Sequence, residues 1–146
     1  MKNTRVISGF PGIGKSYLFN NGKNMLVIDS DSSNFSWLEP GVRDPEFPHN
    51  YMKHIKKNIG KYDIILVSSH KVVRDALREN NIPYTIYYPS MESKDIYINR
   101  YTERGNPESF IELVKENWGL WISEIENETY PEKVKLEDGA FLSDYI

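Results

Sequence analysis

There is no cysteine anywhere in the chain. That excludes a disulfide framework and any metal held by thiolates. Long apolar runs are missing as well. None approaches the roughly 20 residues of a membrane-spanning helix, and the N-terminus shows no apolar leader. No block of lysine or arginine stands out, and the formal net charge is −3. The electrostatic footprint of a nucleic-acid binder is therefore not visible, although a short, locally basic groove stays open. The three histidines, His49, His54 and His70, share no metal-ligand spacing, so no zinc site is expected. Internal repeats, low-complexity tracts and interdomain linkers are absent too. The expectation is a cytoplasmic protein with no membrane partner, for which nucleic acid is possible but not favoured. Nothing in the pattern specifies an oligomer.

What is present suits one folded unit. The chain has 146 residues, of which 39% are hydrophobic and 13% aromatic, enough for a packed core. Short apolar runs alternate with segments of helical length. The runs are Arg5–Ser8, Met25–Ile28, Asp63–Ser68, Tyr84–Tyr88 and a weaker Lys133–Leu136. Continuous runs such as Ile64-Ile65-Leu66-Val67 suit strands covered on both faces, as in a parallel sheet. The segments between them predict helices over about 50–58, 71–79, 92–103 and 107–126, after a first helix of about two turns. In the longest, Phe110, Val114, Trp118, Trp121 and Ile125 recur every three or four residues, which reads as a core-facing stripe. These alternations predict an α/β fold built from βαβ units, a single domain over 1–146.

The stretch Gly9-Phe10-Pro11-Gly12-Ile13-Gly14-Lys15-Ser16 matches the phosphate-binding pattern G-x-x-x-x-G-K-[ST] at every fixed position. An apolar strand precedes it, and Tyr17, Leu18 and Phe19 open a helix after it. Glycines let the backbone turn tightly and aim N–H groups at a polyphosphate, beside the positive end of the helix dipole. The expected contacts to ATP are Gly9, Pro11, Gly12, Ile13, Gly14, Lys15, Ser16 and Tyr17. Lys15 would reach the β- and γ-phosphates, and the Ser16 hydroxyl would ligate Mg²⁺.

Such a loop needs an acidic partner near the magnesium. The run Leu66-Val67-Ser68-Ser69-His70 ends without one, and Asp63 lies at the wrong end of its strand, since ligands bind beyond the carboxyl ends of parallel strands. The second strand does end in acids, as Asp29-Ser30-Asp31. One carboxylate would serve Mg²⁺, with Asp29 the metal candidate, and the other would accept a proton from an attacking hydroxyl. Which does which stays open, and the same residues also make good turn chemistry.

With these residues in view, the chain resembles the small P-loop kinases. That group holds nucleoside monophosphate kinases, shikimate- and gluconate-type kinases and phage polynucleotide kinases. Asp29-Ser30-Asp31 is similar to the Asp-x-Asp of shikimate-type kinases, where the acids serve magnesium and the acceptor. The loop together with Arg43-Asp44-Pro45-Glu46-Phe47-Pro48 and Val67-Ser68-Ser69-His70 also looks like short kinase-like proteins of bacteriophages. The resemblance implies a P-loop NTPase three-layer sandwich, its five-stranded parallel sheet in the order 2-3-1-4-5 with helices on both faces. It implies phosphoryl transfer from ATP·Mg²⁺ to a small acceptor, first of all a nucleoside monophosphate. A sugar, a 5′-hydroxyl nucleic-acid end, or regulatory ATP hydrolysis without an acceptor are the rival expectations. GTPase switching is disfavoured, because neither Asn-Lys-x-Asp nor an Asp-x-x-Gly after the third strand occurs.

Two segments are candidates to close over the substrates. Residues 32–51 offer Phe35, Trp37, Phe47 and Tyr51 to stack on a base and Arg43 to hold an anion, or else form an aromatic mini-core under a loop. Residues 92–106 carry Arg100 and Arg104, four apart and so on one helix face, with Gly105 as a hinge. As a lid they would grip the transferring phosphoryl group; otherwise they are a solvated charged face. Arg74 and His70 follow the third strand and are candidates to touch phosphate or acceptor, His70 equally to cap a helix.

Overall fold

The computed structural model describes residues 3–21, 25–30, 35, 37–39 and 42–146, without the side chains of Ser16, Asn21, Trp37, Leu38 and Glu39. In chain order the strands are β1 (Arg5–Gly9), β2 (Val27–Asp29), β3 (Trp37–Glu39), β4 (Val42–Arg43), β5 (Ile64–Ser68), β6 (Thr85–Pro89) and β7 (Glu132–Leu136). The helices are α1 (Lys15–Asn21), α2 (His49–Asn58), α3 (Lys71–Glu79), α4 (Lys94–Glu103) and α5 (Glu108–Asn127). Single 3₁₀ turns sit at Met91–Ser93 and Leu142–Asp144.

Five strands make one sheet in the order β2-β5-β1-β6-β7, every pair parallel. All five residues of β5 are buried. Side chains alternate across a sheet, so a strand buried at every position is covered on both faces. This is an α/β fold with a parallel five-stranded sheet and helices. Counted among themselves in chain order, these five strands stand 2-3-1-4-5. The strand count is what is corrected: seven strands occur among the described residues, because β3 and β4 form a separate antiparallel ribbon that takes the third and fourth places in the chain. Two- and three-residue strands around Pro40-Gly41 carry too little periodicity to be read in advance.

Helix α5 shows how the core is filled. Val114, Trp118, Ile122 and Ile125 are its buried residues. Trp118 packs edge-on against Phe10 at 5.4 Å and donates its indole N–H to the Met91 carbonyl at 2.9 Å. The apolar stripe is core, as its spacing predicts. Phe10 is 1% exposed and Ile13 0%. The loop after β1 is thus anchored by two apolar side chains, each worth about 1.5–3 kcal/mol of burial. No described helix is long and apolar enough to cross a membrane.

Candidate active site

Chain direction is shared by all five sheet strands, so their carboxyl ends lie on one side. A cavity of about 990 Å³ opens there. Gly9, Asp29 and Ser68, the last residues of β1, β2 and β5, all contribute to its wall. Across from the strand tips stand Arg100, Glu103 and Arg104 of α4 and the C-terminal residues Phe141, Ser143 and Asp144. Crevices at this position, beyond the carboxyl ends of parallel strands, are where α/β sheets take ligands.

The loop from Gly9 to Lys15 forms the floor, and its shape is set from outside. Three consecutive carbonyls are tied to neighbouring elements. Tyr101 donates its hydroxyl to Pro11 O at 2.7 Å, Arg100 donates Nη1–H to Gly12 O at 2.9 Å, and the Leu142 amide donates to Ile13 O at 2.7 Å. A trans peptide points its N–H opposite to its C=O. Tying the carbonyls of Pro11 and Ile13 to α4 and the C-terminal segment therefore turns the amides of Gly12 and Gly14 away from those elements. Those two amides have no hydrogen-bond acceptor among the described residues. The Ile13 amide does, bonding Phe10 O at 3.2 Å. Gly12 and Gly14 have φ of 88° and 99°, a region where L side chains are strained. At Gly12 a Cβ would also meet Tyr101 Cε1 at 2.8 Å. At Gly9 a Cβ would come within 3.0 Å of Lys15 Cγ and Cδ. The Lys15 stem thus packs against the end of β1, and Lys15 contributes to the cavity wall.

Burial holds the Tyr101 phenol pKa far above its ordinary value. The hydroxyl consequently stays protonated and remains a donor to the loop. Arg100 is pinned further by stacking, its guanidinium carbon 3.8 Å from the Phe141 ring centroid and 4.5 Å from that of Tyr97. Its Nη2 donates to Ala140 O at 3.1 Å. Helix α4 and the C-terminal segment therefore clamp the loop together.

The expected site residues separate clearly. Gly9, Pro11, Gly12, Gly14, Lys15, Tyr17, Asp29, His70, Arg100 and Arg104 all line the cavity. Ile13 is fully buried beneath it. Ser16 is described by its backbone, at the start of α1, and Asp31 lies outside the described residues. Four residues expected to bind substrate, Arg74, Tyr51, Phe47 and Arg43, are not in the wall of this cavity. Arg74 is 4% exposed, pairs with Glu128, and donates Nε–H to Ser69 O at 2.8 Å. Its charge is spent inside the protein, bracing the turn after β5. Tyr51 is fully buried, and its hydroxyl donates to Ser30 O. It packs with Phe35 at 5.1 Å, Phe47 at 6.1 Å and His54 at 6.5 Å. This is the aromatic mini-core, and neither Phe47 nor Tyr51 reaches the cavity wall. Arg43 sits exposed on β4, also away from that wall.

Two expectations about the proposed lid change as well. Arg100 bonds main-chain carbonyls rather than standing ready for phosphate. Gly105, at φ 75°, closes α4 instead of hinging it: its amide bonds Thr102 O at 3.1 Å and the Asn106 amide bonds Tyr101 O at 3.0 Å. Arg104 is exposed, its Nε 3.1 Å from Asn106 Oδ1, and it does face the cavity. Sequence reasoning passed over Tyr101, Phe141 and Leu142. One signal was available for the first: Tyr97, Arg100 and Tyr101 share a helix face by their spacing. Among the described residues no cluster of three or more His, Asp or Glu side chains is arranged to hold a metal. No protein-family model matches this chain, and none of the curated proteins matches its sequence.

Proposed function

We propose that the chain transfers the γ-phosphoryl group of ATP, as its magnesium complex, to a small acceptor, first of all a nucleoside monophosphate. One observation carries this reading: the carbonyls of Pro11, Gly12 and Ile13 are all hydrogen-bonded by α4 and the C-terminal segment. Carbonyls tied to those elements turn the Gly12 and Gly14 amides away from them, and these two amides, without acceptors among the described residues, are a preorganised anion cradle. Preorganisation matters because donors fixed before the reaction need no reorientation as charge develops.

Lys15 beside the cradle is the cation for the β- and γ-phosphates, and Arg104 is the second, from the opposite wall. Asp29 at the β2 tip is the carboxylate that would hold the magnesium ion, which offsets triphosphate charge when bound. In the transfer the bond between the γ-phosphorus and the β-bridging oxygen breaks, and a bond from that phosphorus to an acceptor oxygen forms. A phosphate acceptor carries no proton that must be removed. A hydroxyl acceptor would pass its proton to the other carboxylate of the pair, Asp31 where Asp29 holds the metal.

The test is a panel of nucleoside monophosphates, nucleosides and 5′-hydroxyl oligonucleotides with γ-labelled ATP. We expect transfer to a monophosphate, and a loss of at least about a hundredfold in Lys15→Ala with an unchanged circular dichroism spectrum. Hydrolysis alone across the whole panel would move the assignment to a nucleotide hydrolase. Wild-type turnover in Lys15→Ala would remove the site itself.

A further inference from the structure

The cavity wall made by the tips of β2 and β5 carries two hydroxyls that the clamp on the loop does not use. Ser30 follows Asp29 directly and is 3% exposed. Its Oγ lies 2.8 Å from Nε2 of His54. The direction of that bond can be read from the other side of the ring. Asn58 donates through Nδ2 to the His54 carbonyl at 2.8 Å, which fixes the end of its amide that is nitrogen. The same nitrogen faces His54 Nδ1 at 3.4 Å. A donor facing Nδ1 leaves a lone pair there, so the neutral ring carries its proton on Nε2 and donates it to Ser30.

Ser30 is therefore an acceptor toward His54, and its own hydroxyl proton is directed elsewhere. The backbone beneath it is fixed. Its amide bonds Leu66 O at 2.9 Å, and its carbonyl takes the Tyr51 hydroxyl. Ser68 is the second hydroxyl. It also lines the cavity, and its Oγ is buried with no partner among the described residues. An unpaired buried hydroxyl is destabilising, and a ligand oxygen reached by rotation about χ1 would relieve it. The Ser68 carbonyl is taken by Ser8 Oγ at 3.0 Å, so the strand tip itself is held.

We propose that Ser30 and Ser68 hold the phosphate of the acceptor molecule, with His54 positioning Ser30 as a hydrogen-bond donor. The proposal rests on the phosphoryl-transfer reading and names the acceptor class within it: a monophosphate ester, not a neutral alcohol. A neutral alcohol carries no charge for two such donors to offset. An anionic phosphate oxygen needs donors, and these two hydroxyls supply them from adjacent strands.

The experiment is calorimetric titration of nucleoside monophosphates into protein saturated with magnesium and a non-hydrolysable ATP analogue. We expect at least one monophosphate to bind the wild type, and its Kd to rise about tenfold or more in Ser30→Ala and in Ser68→Ala. Affinity for the ATP analogue should stay within about twofold, which also shows that the variants fold. His54→Phe should weaken the monophosphate in the same way, and His54→Gln, whose amide nitrogen falls near the place of Nε2, should restore it. Failure of the wild type to bind the ATP analogue removes the phosphoryl-transfer reading, and this proposal with it. Analogue binding with no monophosphate binding, or with unchanged monophosphate affinity in the serine variants, overturns this proposal alone. So does a Ser68→Ala variant whose only change is a higher magnesium requirement.

Discussion

His54 is held neutral by its surroundings. Burial lowers its pKa from the ordinary value of 6.5, and the nearby charge of Lys57 lowers it further. The Asn58 amide facing Nδ1 acts in the same direction, because protonating that nitrogen would set donor against donor. The sign of the stability effect follows. Below the ordinary histidine pKa the unfolded chain binds a proton that the folded chain resists, so stability is full above about 6.5 and falls as pH drops through the lowered folded value. Urea midpoints measured from pH 7.5 downwards should therefore decline, and more shallowly in His54→Gln. Parallel curves for the two proteins would show that folding does not lower the His54 pKa, and would remove this argument for a neutral ring. The carboxylates with lowered pKa, Glu126 and Asp138, act below the histidine window and do not confuse it. Arginines teach the same lesson about residues. Arg74, Arg100 and Arg104 are alike in sequence, yet Arg74 braces a turn through Ser69 and Glu128, Arg100 braces the loop, and only Arg104 stands exposed toward the cavity.

At the scale of elements, the loop owes its conformation to α4 and to the segment after β7. Each tie is modest alone, about 0.5–1.5 kcal/mol for a neutral hydrogen bond and more for the charged one from Arg100. Their effect lies in acting on three successive peptide planes. If Arg100 and Phe141 serve one clamp, removing either should loosen the cradle about equally, and removing both should add little. We expect Arg100→Ala and Phe141→Ala each to weaken binding of an ATP analogue by about tenfold, with the double variant close to either single one. Additive losses, or a fall in turnover at unchanged analogue affinity, would instead give Arg100 to the transferring phosphoryl group. The fold around the clamp was largely legible. Short apolar runs announced the sheet strands, the fifth only weakly, and the fixed glycine and lysine positions announced the loop. What could not be read was direction. Residue type marks Tyr51 as fit to stack on a base, but only packing against Phe35 and Phe47 turns it inward. The serines at the strand tips gave no signal, because a hydroxyl becomes notable only when its partners, or their absence, are known.

For the whole molecule, the cavity gathers residues from nearly the full length of the chain, from Gly9 to Asp144. Sheet order puts β1 at the centre, between β5 and β6, so the loop leaves from the most enclosed strand. A ligand in the cavity touches strand tips, α4 and the C-terminal segment at once, and none of these groupings survives unfolding. Binding should therefore stabilise the chain globally, not one corner of it. At a nucleotide concentration about a hundredfold above Kd the gain is about 2.7 kcal/mol. For a domain of this size that raises the thermal midpoint by roughly 5–10 °C. The rise should be seen with magnesium and ATP or ADP, shrink without magnesium, and vanish in Lys15→Ala. It should also appear equally by far-ultraviolet circular dichroism and by tryptophan fluorescence, since Trp118 packs against Phe10 at the root of the loop. An unmoved midpoint at saturating nucleotide would mean that the cradle takes some other anion. A shift seen by fluorescence alone would mean that the ligand orders the loop without crossing from the strand tips to the C-terminal segment.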